Sequence, residues 1–184
     1  MDYRNRLLEL LKQKSYERGK FILASGRESD FYIDGKQTTL SAEGSYLVGR
    51  VFYNVIKSYK VPIEGVGGLT LGADPIVTAI SLISYLEGSP VEAFIIRKEP
   101  KKHGKSLWVE GRKNLSKGAR VAIVEDVITT AGSTLKAIHR ANEEGFDVVK
   151  VLALIDREEG GRENLVKEGY ELEAIFTKKN FLED

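Results

Sequence analysis

The chain has 184 residues, of which 42% are hydrophobic and 30% are charged, a composition typical of a globular domain and not of a disordered or fibrous chain. Its 28 lysines and arginines nearly balance its 27 aspartates and glutamates, and the resulting net charge of +1 excludes a general attraction to nucleic acid or membrane. The absence of cysteine, with only two histidines, excludes disulfides, thiolate zinc sites and histidine-rich metal sites.

The N-terminal part predicts an amphipathic helix followed by a short strand. Four leucines between positions 7 and 11 stand among charged residues, which is helical spacing for residues 2–14. Residues 31–34 are β-prone. No apolar signal core and no run of about 18 apolar residues is present, so we expect a cytoplasmic protein without a membrane span.

The rest of the chain alternates helical and strand-like patterns. The predicted helices are residues 46–59, 73–86 and 133–144, with a short helix that ends at 165–168. The predicted strands are residues 61–66, 91–96, 121–124, 148–155 and 172–176. Residues 97–118 lack apolar periodicity and predict a long loop or a hairpin. Because the strands are apolar throughout, we expect a parallel sheet covered by helices on both faces, with ligands at the carboxyl ends of the strands.

The segment after strand 121–124 carries the most chemical information. Glu125 and Asp126 stand at the predicted end of the strand, and small hydroxylated residues and glycine lead from there into a helix. Backbone N–H groups at a helix N-terminus bind phosphate, whereas carboxylates suit sugar hydroxyls or a Mg²⁺ that also holds a polyphosphate. Together they describe a ribose 5-phosphate site. The alternative is a simple helix cap beside a solvated acidic pair.

The stretch 121–133 resembles the phosphoribosyl pyrophosphate (PRPP) signature of type I phosphoribosyltransferases. The resemblance implies an α/β fold with a mostly parallel central sheet flanked by helices. Residues 1–184 would form one domain, with about residues 1–40 as a small hood over the base site. It also implies that Glu125 and Asp126 hold the ribose hydroxyls, with Asp126 catalytic, and that Thr129 to Ser133 wrap the 5-phosphate. The implied PRPP-binding residues here are Glu125, Asp126, Val127, Ile128, Thr129, Thr130, Ala131, Gly132 and Ser133.

A basic segment follows strand 91–96 and resembles the RKE-x-K-x-HG loop of orotate phosphoribosyltransferases. The resemblance implies that four of its residues contact the pyrophosphate of PRPP, and that Lys101 is catalytic. It further implies a homodimer in which part of this loop reaches the active site of the other subunit. The four residues are Arg97, Lys98, Lys101 and His103. The alternative is a solvated basic loop.

Two glycine-containing segments resemble further parts of the same family. Residues 21–34 resemble its N-terminal segment, which implies that Tyr32 and Ile33 lie against the orotate ring. Residues 67–75 resemble its pyrophosphate loop, which includes Thr70 and Leu71. Other members carry lysines at the positions of Ala24 and Leu71, so these two contacts are in doubt for this chain. Ordinary strand packing and a structural turn are the respective alternatives.

Arg157 is the candidate residue for recognition of the base. It follows strand 148–155, and a guanidinium grips a planar carboxylate through two parallel hydrogen bonds. In the orotate enzymes the matching arginine binds the orotate carboxylate or ring oxygens, and Thr129 matches a second orotate contact. The alternative is a surface pair between Arg157 and Glu158 or Glu159.

The resemblance therefore implies an enzyme that transfers the 5-phosphoribosyl group from PRPP to orotate, a step of UMP biosynthesis. Mg²⁺ would be held mainly by the substrate, with Asp126 as a ligand through water. Orotate and PRPP would be its partners, without nucleic acid or membrane. One alternative is a PRPP-sensing regulator, although the leading 17 residues are too short for a DNA-binding domain. Another is a phosphoribosyltransferase for a different base.

Overall fold

The computed structural model describes residues 2–22, 28–100 and 107–182. The helices are α1 (Tyr3–Lys14), α2 (Lys36–Thr39), α3 (Ala42–Ile56), α4 (Asp74–Leu86), α5 (Gly132–Glu143), α6 (Gly161–Lys167) and α7 (Lys179–Leu182). The strands are β1 (Tyr16–Ile22), β2 (Glu28–Ile33), β3 (Gly65–Leu69), β4 (Glu92–Ile96), β5 (Val109–Glu110), β6 (Arg120–Ile128), β7 (Asp147–Asp156) and β8 (Leu172–Thr177).

Six strands form the central sheet in the order β5-β4-β3-β6-β7-β8. All neighbouring pairs are parallel except β4 and β5, so the expected mostly parallel α/β sheet is confirmed. The chain runs from β3 outward to β4 in one direction and from β6 outward to β7 in the other. The carboxyl ends of β3 and β6 therefore border the crevice where such sheets bind ligands.

Apolar cores cover both faces of the sheet. The larger core joins buried side chains of α1, α3 and α4 to strands β3, β6 and β7, and it includes Leu11 and Phe31 from the predicted hood. The second core packs α5 against the other face, with Phe94 and Ile138 among its fully buried members. Strands β1 and β2 form a separate antiparallel hairpin that Phe31 and Ile33 tie to the larger core. The boundary of the hood at about residue 40 stays a prediction.

Two strands lie further along the chain than their apolar runs predicted. The expected strand 61–66 is wrong at both ends, since β3 covers residues 65–69. Strand β3 therefore includes Gly67 and Gly68, which the sequence indicated as the point where the strand ends. Gly67 belongs inside the strand because the Phe94 ring packs directly on its backbone. Strand β6 continues to Ile128 and pairs with β7 along its whole length, so Glu125 and Asp126 lie within the strand and not after it.

Some elements carry too little periodicity to be predicted. The apolar pattern did not predict strand β1, helix α2 or helix α7. Helix α3 begins at Ala42, four residues earlier than its apolar pattern indicated, because the Ser41 side chain accepts a hydrogen bond from the Gly44 N–H and caps the helix. Of the stretch 97–118, residues 109–110 form β5, which pairs antiparallel with β4 as the hairpin alternative predicted. Within residues 2–22, 28–100 and 107–182, no helix has the length and apolarity needed to cross a bilayer.

Substitution Gly67→Ala should destabilise the protein, because its methyl group would overlap the fully buried ring of Phe94. Overpacking of this kind costs about 1–3 kcal/mol of unfolding free energy. Urea denaturation measures the loss. Gly132→Ala is the matched control, since among the residues that the structure describes only Thr130 Oγ1, at 4.0 Å, lies near the added methyl group. Equal stability of the two variants would contradict the close packing of β3 on Phe94.

Candidate active site

Two adjacent carboxylates lie buried near the end of β6. Glu125 is 6% exposed and Asp126 is 8% exposed, so the alternative of a solvated acidic pair is wrong. The Ser133 hydroxyl donates to Glu125 Oε2 at 2.9 Å, and the Val127 N–H donates to Asp126 Oδ1 at 2.8 Å. Burial and the neighbouring Asp126 charge raise the pKa of Glu125 to about 8. At neutral pH the protonated form of Glu125 is therefore favoured.

The loop after β3 approaches both carboxylates through its backbone. A β-carbon at Gly72 would lie 3.0 Å from Glu125 Oε1 and closer still to Asp126 Oδ1. Thr70 and Leu71, the predicted pyrophosphate-loop residues, precede it and are joined by a cis peptide bond. The Thr70 hydroxyl donates to Asp74 at 2.7 Å, whereas the Leu71 side chain is 66% exposed. The glycine thus leaves a small cradle lined by carboxylate oxygens.

Lys36, on the short helix α2, faces the same carboxylates. Its Nζ lies 2.6 Å from Asp34 Oδ1 and 3.7 Å from Asp126 Oδ2. Burial opposes its charge, but the hydrogen bond with Asp34 and the charges of Asp126 and Asp34 raise the pKa of Lys36 above its usual value. The backbone of Gly35 packs on Asp126, because a β-carbon there would lie 3.2 Å from the Asp126 β-carbon. Residues 34–36 therefore belong to the site, although the N-terminal motif ended at Asp34 and did not include Gly35 and Lys36.

The predicted phosphate loop runs from the end of β6 into α5. Ala131 adopts a left-handed conformation with φ of 64°, and its side chain provides no hydrogen bond to the helix that begins at Gly132. The N-terminal N–H groups of an α-helix have no partner within the helix and favour an anion. Thr129 and Thr130 lie immediately before this turn, and the Thr130 carbonyl accepts a hydrogen bond from Asn164 at 3.1 Å. The loop therefore brings helix N–H groups to the edge beside Glu125.

Arg157 is buried at the same edge of the sheet. It is 4% exposed, which contradicts the alternative of a surface Arg–Glu pair, although its Nε does lie 2.9 Å from Glu159 Oε1. Its guanidinium carbon lies 4.6 Å above the Phe31 ring of the hood. Its backbone N–H donates to Ile128 O at 2.9 Å, which places Arg157 next to the start of the phosphate loop.

The two hood residues expected at the base lie on opposite faces of β2. Ile33 is buried in the larger core, whereas Tyr32 is 42% exposed and packs against Phe21 with ring centroids 5.5 Å apart. The side chains of adjacent strand residues point in opposite directions, so Tyr32 and Ile33 cannot present one common side-chain surface. Their contact with a base stays a prediction. Phe31 is the hood residue that meets Arg157, and strand alternation around it is the signal that could have indicated it.

The predicted basic loop is described only at its start. Arg97 follows β4 and its Nη1 lies 3.2 Å from Glu110, and Lys98 lines the same cleft as Ser133. Lys101 and His103 lie outside the described residues, as does Ala24 in the N-terminal segment. The roles predicted for these residues stay predictions.

The described residues bring no three His, Cys, Asp or Glu side chains together as a metal-binding set. Two carboxylates nevertheless converge on the cradle at Gly72. Mg²⁺ prefers oxygen ligands and usually combines one or two carboxylates with water and substrate phosphates. The donor set around Gly72 fits a Mg²⁺ that arrives with a phosphorylated substrate.

Comparison with known proteins identifies one family over nearly the whole chain. A family model described as phosphoribosyl transferase domain matches residues 69–181. A relative from Sorangium cellulosum named orotate phosphoribosyltransferase is 47% identical over 98% of this chain and 94% of its own length. A relative of the same name from Aquifex aeolicus is 44% identical over 97% of both chains.

Solved structures agree with these relatives. An orotate phosphoribosyltransferase from Mycobacterium tuberculosis, solved with Fe(III) dicitrate, matches with a TM-score of 0.83 and 37% identity over 97% of this chain and 98% of that one. A structure of the same enzyme in complex with PRPP matches with a TM-score of 0.79 and 35% identity, and it covers 97% and 98% of the two chains.

The raised pKa of Glu125 predicts a pH-dependent stability. Its folded-state pKa of about 8 exceeds the usual 4.5, so the folded protein holds a proton that the unfolded chain has lost between these values. Stability from this group is complete below about pH 4.5 and is lost as pH rises through about 8. Glu125→Gln removes the loss, so its melting temperature relative to the parent protein should increase from pH 5 to pH 8.5. Exposed Glu163→Gln is the control, and a pH-independent difference for Glu125→Gln would contradict the prediction.

Proposed function

The chain belongs to the orotate phosphoribosyltransferases, and we propose that its buried carboxylate pair, Gly72 loop and phosphate loop together hold PRPP during transfer of the phosphoribosyl group to orotate. The observation that carries this proposal is the convergence of Glu125 Oε1 and Asp126 Oδ1 beside the Gly72 backbone. The N-terminus of α5 is joined to that pair by the hydrogen bond from Ser133 to Glu125. Carboxylates for a diol and helix N–H groups for a phosphate thus lie on one edge of the sheet.

The reaction needs positioning and charge stabilisation more than a protein nucleophile. Orotate is already an anion, and displacement at the anomeric carbon passes through an oxocarbenium-like transition state with pyrophosphate as the leaving group. Glu125 and Asp126 would hold the ribose hydroxyls while the first turn of α5 holds the 5-phosphate. With both ends fixed, the anomeric carbon is presented to orotate in one orientation. A carboxylate at Asp126 would also stabilise the positive charge that develops on the ribose ring.

Mg²⁺ is proposed as the cofactor, held mainly by substrate oxygens with Asp126 as a ligand through water. When bound, it would neutralise charge on the departing pyrophosphate. The cradle at Gly72 supports this proposal, because a side chain there would fill the space between the carboxylates and a phosphate-bound ion. Thr70 and Leu71 would contact the pyrophosphate through their backbone.

The base site is proposed at Arg157. Its buried guanidinium stacks on Phe31 and is oriented by Glu159, so it is held in place before orotate binds. Thr129 follows Ile128, whose carbonyl accepts the N–H of Arg157, and this proximity supports Thr129 as the second orotate contact. Tyr32 and Ile33 remain predicted neighbours of the ring.

A homodimer with a shared loop is also proposed. Arg97 and Lys98 begin the basic segment at the carboxyl end of β4, beside the β3 end of the crevice. Lys101 and His103 would extend from there to the pyrophosphate of the other subunit. A cytoplasmic location stays a prediction.

The activity is tested by the fall in orotate absorbance with Mg²⁺ and PRPP. Adenine, hypoxanthine and uracil are the rival bases, each with PRPP consumption as the readout. We expect turnover with orotate and PRPP, and none with PRPP and any of the three rival bases. A preference for one of the rivals would contradict orotate as the base, and loss of all turnover without PRPP is the internal control.

Arg157→Ala should raise the KM for orotate more than tenfold and change the KM for PRPP much less. The physical reason is that a hydrogen bond to a charged group contributes about 1.5–3 kcal/mol. Steady-state kinetics with each substrate varied in turn measures both constants. Arg120→Ala is the matched control, because Arg120 begins β6 and lies at the amino end of that strand, away from the proposed site. Equal effects of Arg157→Ala on both substrates would remove it from the orotate site.

Lys101→Ala should lower kcat more than it weakens PRPP binding, because negative charge increases on pyrophosphate as it leaves. Mixing Lys101→Ala subunits with Asp126→Asn subunits should restore part of the activity, since one of the two sites in a mixed dimer receives both native residues. Activity after co-refolding of differently tagged chains measures the rescue. A verified mixed dimer without any rescue would argue against a loop shared between subunits.

A further inference from the structure

We propose that Lys36 is a positioning residue that compensates the carboxylate pair and thereby sets the affinity for PRPP. The inference rests on the proposed role of Asp126 in ribose binding. It adds a residue of the hood to the site, on an element that none of the sequence motifs pointed to.

The position of Lys36 is fixed by contacts on both sides. The Asp34 side chain accepts the Lys36 backbone N–H at 3.1 Å and also pairs with the Lys36 ammonium. The Gly35 backbone packs on the β-carbon of Asp126. Because the lysine follows a residue in direct contact with β6, its ammonium has only a short distance to span to Asp126 Oδ2.

Helix α2 is itself anchored by the end of α1. The buried hydroxyls of Ser15 and Thr38 share a hydrogen bond of 2.7 Å, and the Asp34 N–H donates to Ser15 O at 2.9 Å. Thr38 and Thr39 are fully buried. The backbone of Lys36 is therefore held on an ordered turn, and its ammonium is paired with Asp34 at 2.6 Å.

The electrostatic problem of the site explains why a cation is needed there. PRPP is strongly anionic, yet its proposed ribose site consists of two adjacent carboxylates. In the part of the chain that the structure describes, Lys36 is the only cationic side chain within 4.0 Å of Asp126. The Gly72 loop offers an exposed leucine and no cation of its own. Lys36 thus offsets the charge of Asp126 and orients its Oδ2, while Oδ1 is oriented by the Val127 N–H.

Lys36→Met tests the proposal because it keeps the apolar stem and removes the charge. PRPP binding is measured by titration calorimetry at fixed Mg²⁺, and we expect about tenfold weaker binding, as for loss of one partly buried charge interaction. Lys36→Arg should retain most of the affinity. Exposed Lys113→Met is the matched control and should bind PRPP normally. Thermal unfolding of each variant checks the fold, and Lys36→Gln replaces Lys36→Met if the latter does not fold. Unchanged PRPP affinity in the charge-deleted variant would overturn the proposal.

A double-mutant cycle separates action through Asp126 from direct contact with substrate. If Lys36 acts through Asp126, adding Lys36→Met to Asp126→Asn should change PRPP affinity less than twofold. Additive losses would show that Lys36 acts independently of Asp126 and would overturn its positioning role. Asp126→Asn alone reports on the proposed function, because normal turnover in that variant would contradict the ribose site whatever Lys36 does.

Discussion

The burial of two adjacent carboxylates inside the central sheet is the constraint on which the rest of the site depends. Ionised carboxylates lose hydration when they are buried, and the charge of one opposes ionisation of the other. Three groups offset this loss of hydration. The Ser133 hydroxyl donates a hydrogen bond to Glu125, and the Val127 N–H and the Lys36 ammonium lie against Asp126. It also leaves Gly72 without a side chain, so that oxygen ligands can enter between the loop and the strand.

The hood is joined to this constraint at two separate points. Lys36 reaches Asp126 from α2, and Phe31 lies beneath the guanidinium of Arg157. One contact meets the proposed ribose site and the other meets the proposed base site. The N-terminal segment therefore contacts both proposed substrate sites, while its Leu11 packs into the core that supports the sheet. Substitutions in the hood should consequently affect binding through defined contacts and not only through coverage of the site.

The α/β class, most strands and helices, and the acidic pair with its following loop of small residues (125–133) were predictable from the sequence, because each depends on a local pattern of apolar or small residues. The sequence did not predict that Glu125 lies within a strand, because a buried carboxylate in a sheet is stabilised by tertiary partners such as Ser133, which a local pattern does not reveal. It also missed Lys36, because a single lysine in a short polar stretch has no periodicity or motif. Arg157 was predicted as a base contact, yet its stacking on Phe31 depends on the packing of the hood and lies beyond any local pattern.

The most direct test of the account is a crystal structure of this protein with orotidine 5-phosphate. We expect the ribose hydroxyl oxygens within about 3.2 Å of the carboxylates of Glu125 and Asp126, which is hydrogen-bond distance. The 5-phosphate should lie on the N–H groups at the start of α5, and the orotate carboxylate on Arg157. A ribose bound away from the carboxylate pair, with Glu125 and Asp126 keeping only their contacts within the protein, would contradict the central claim.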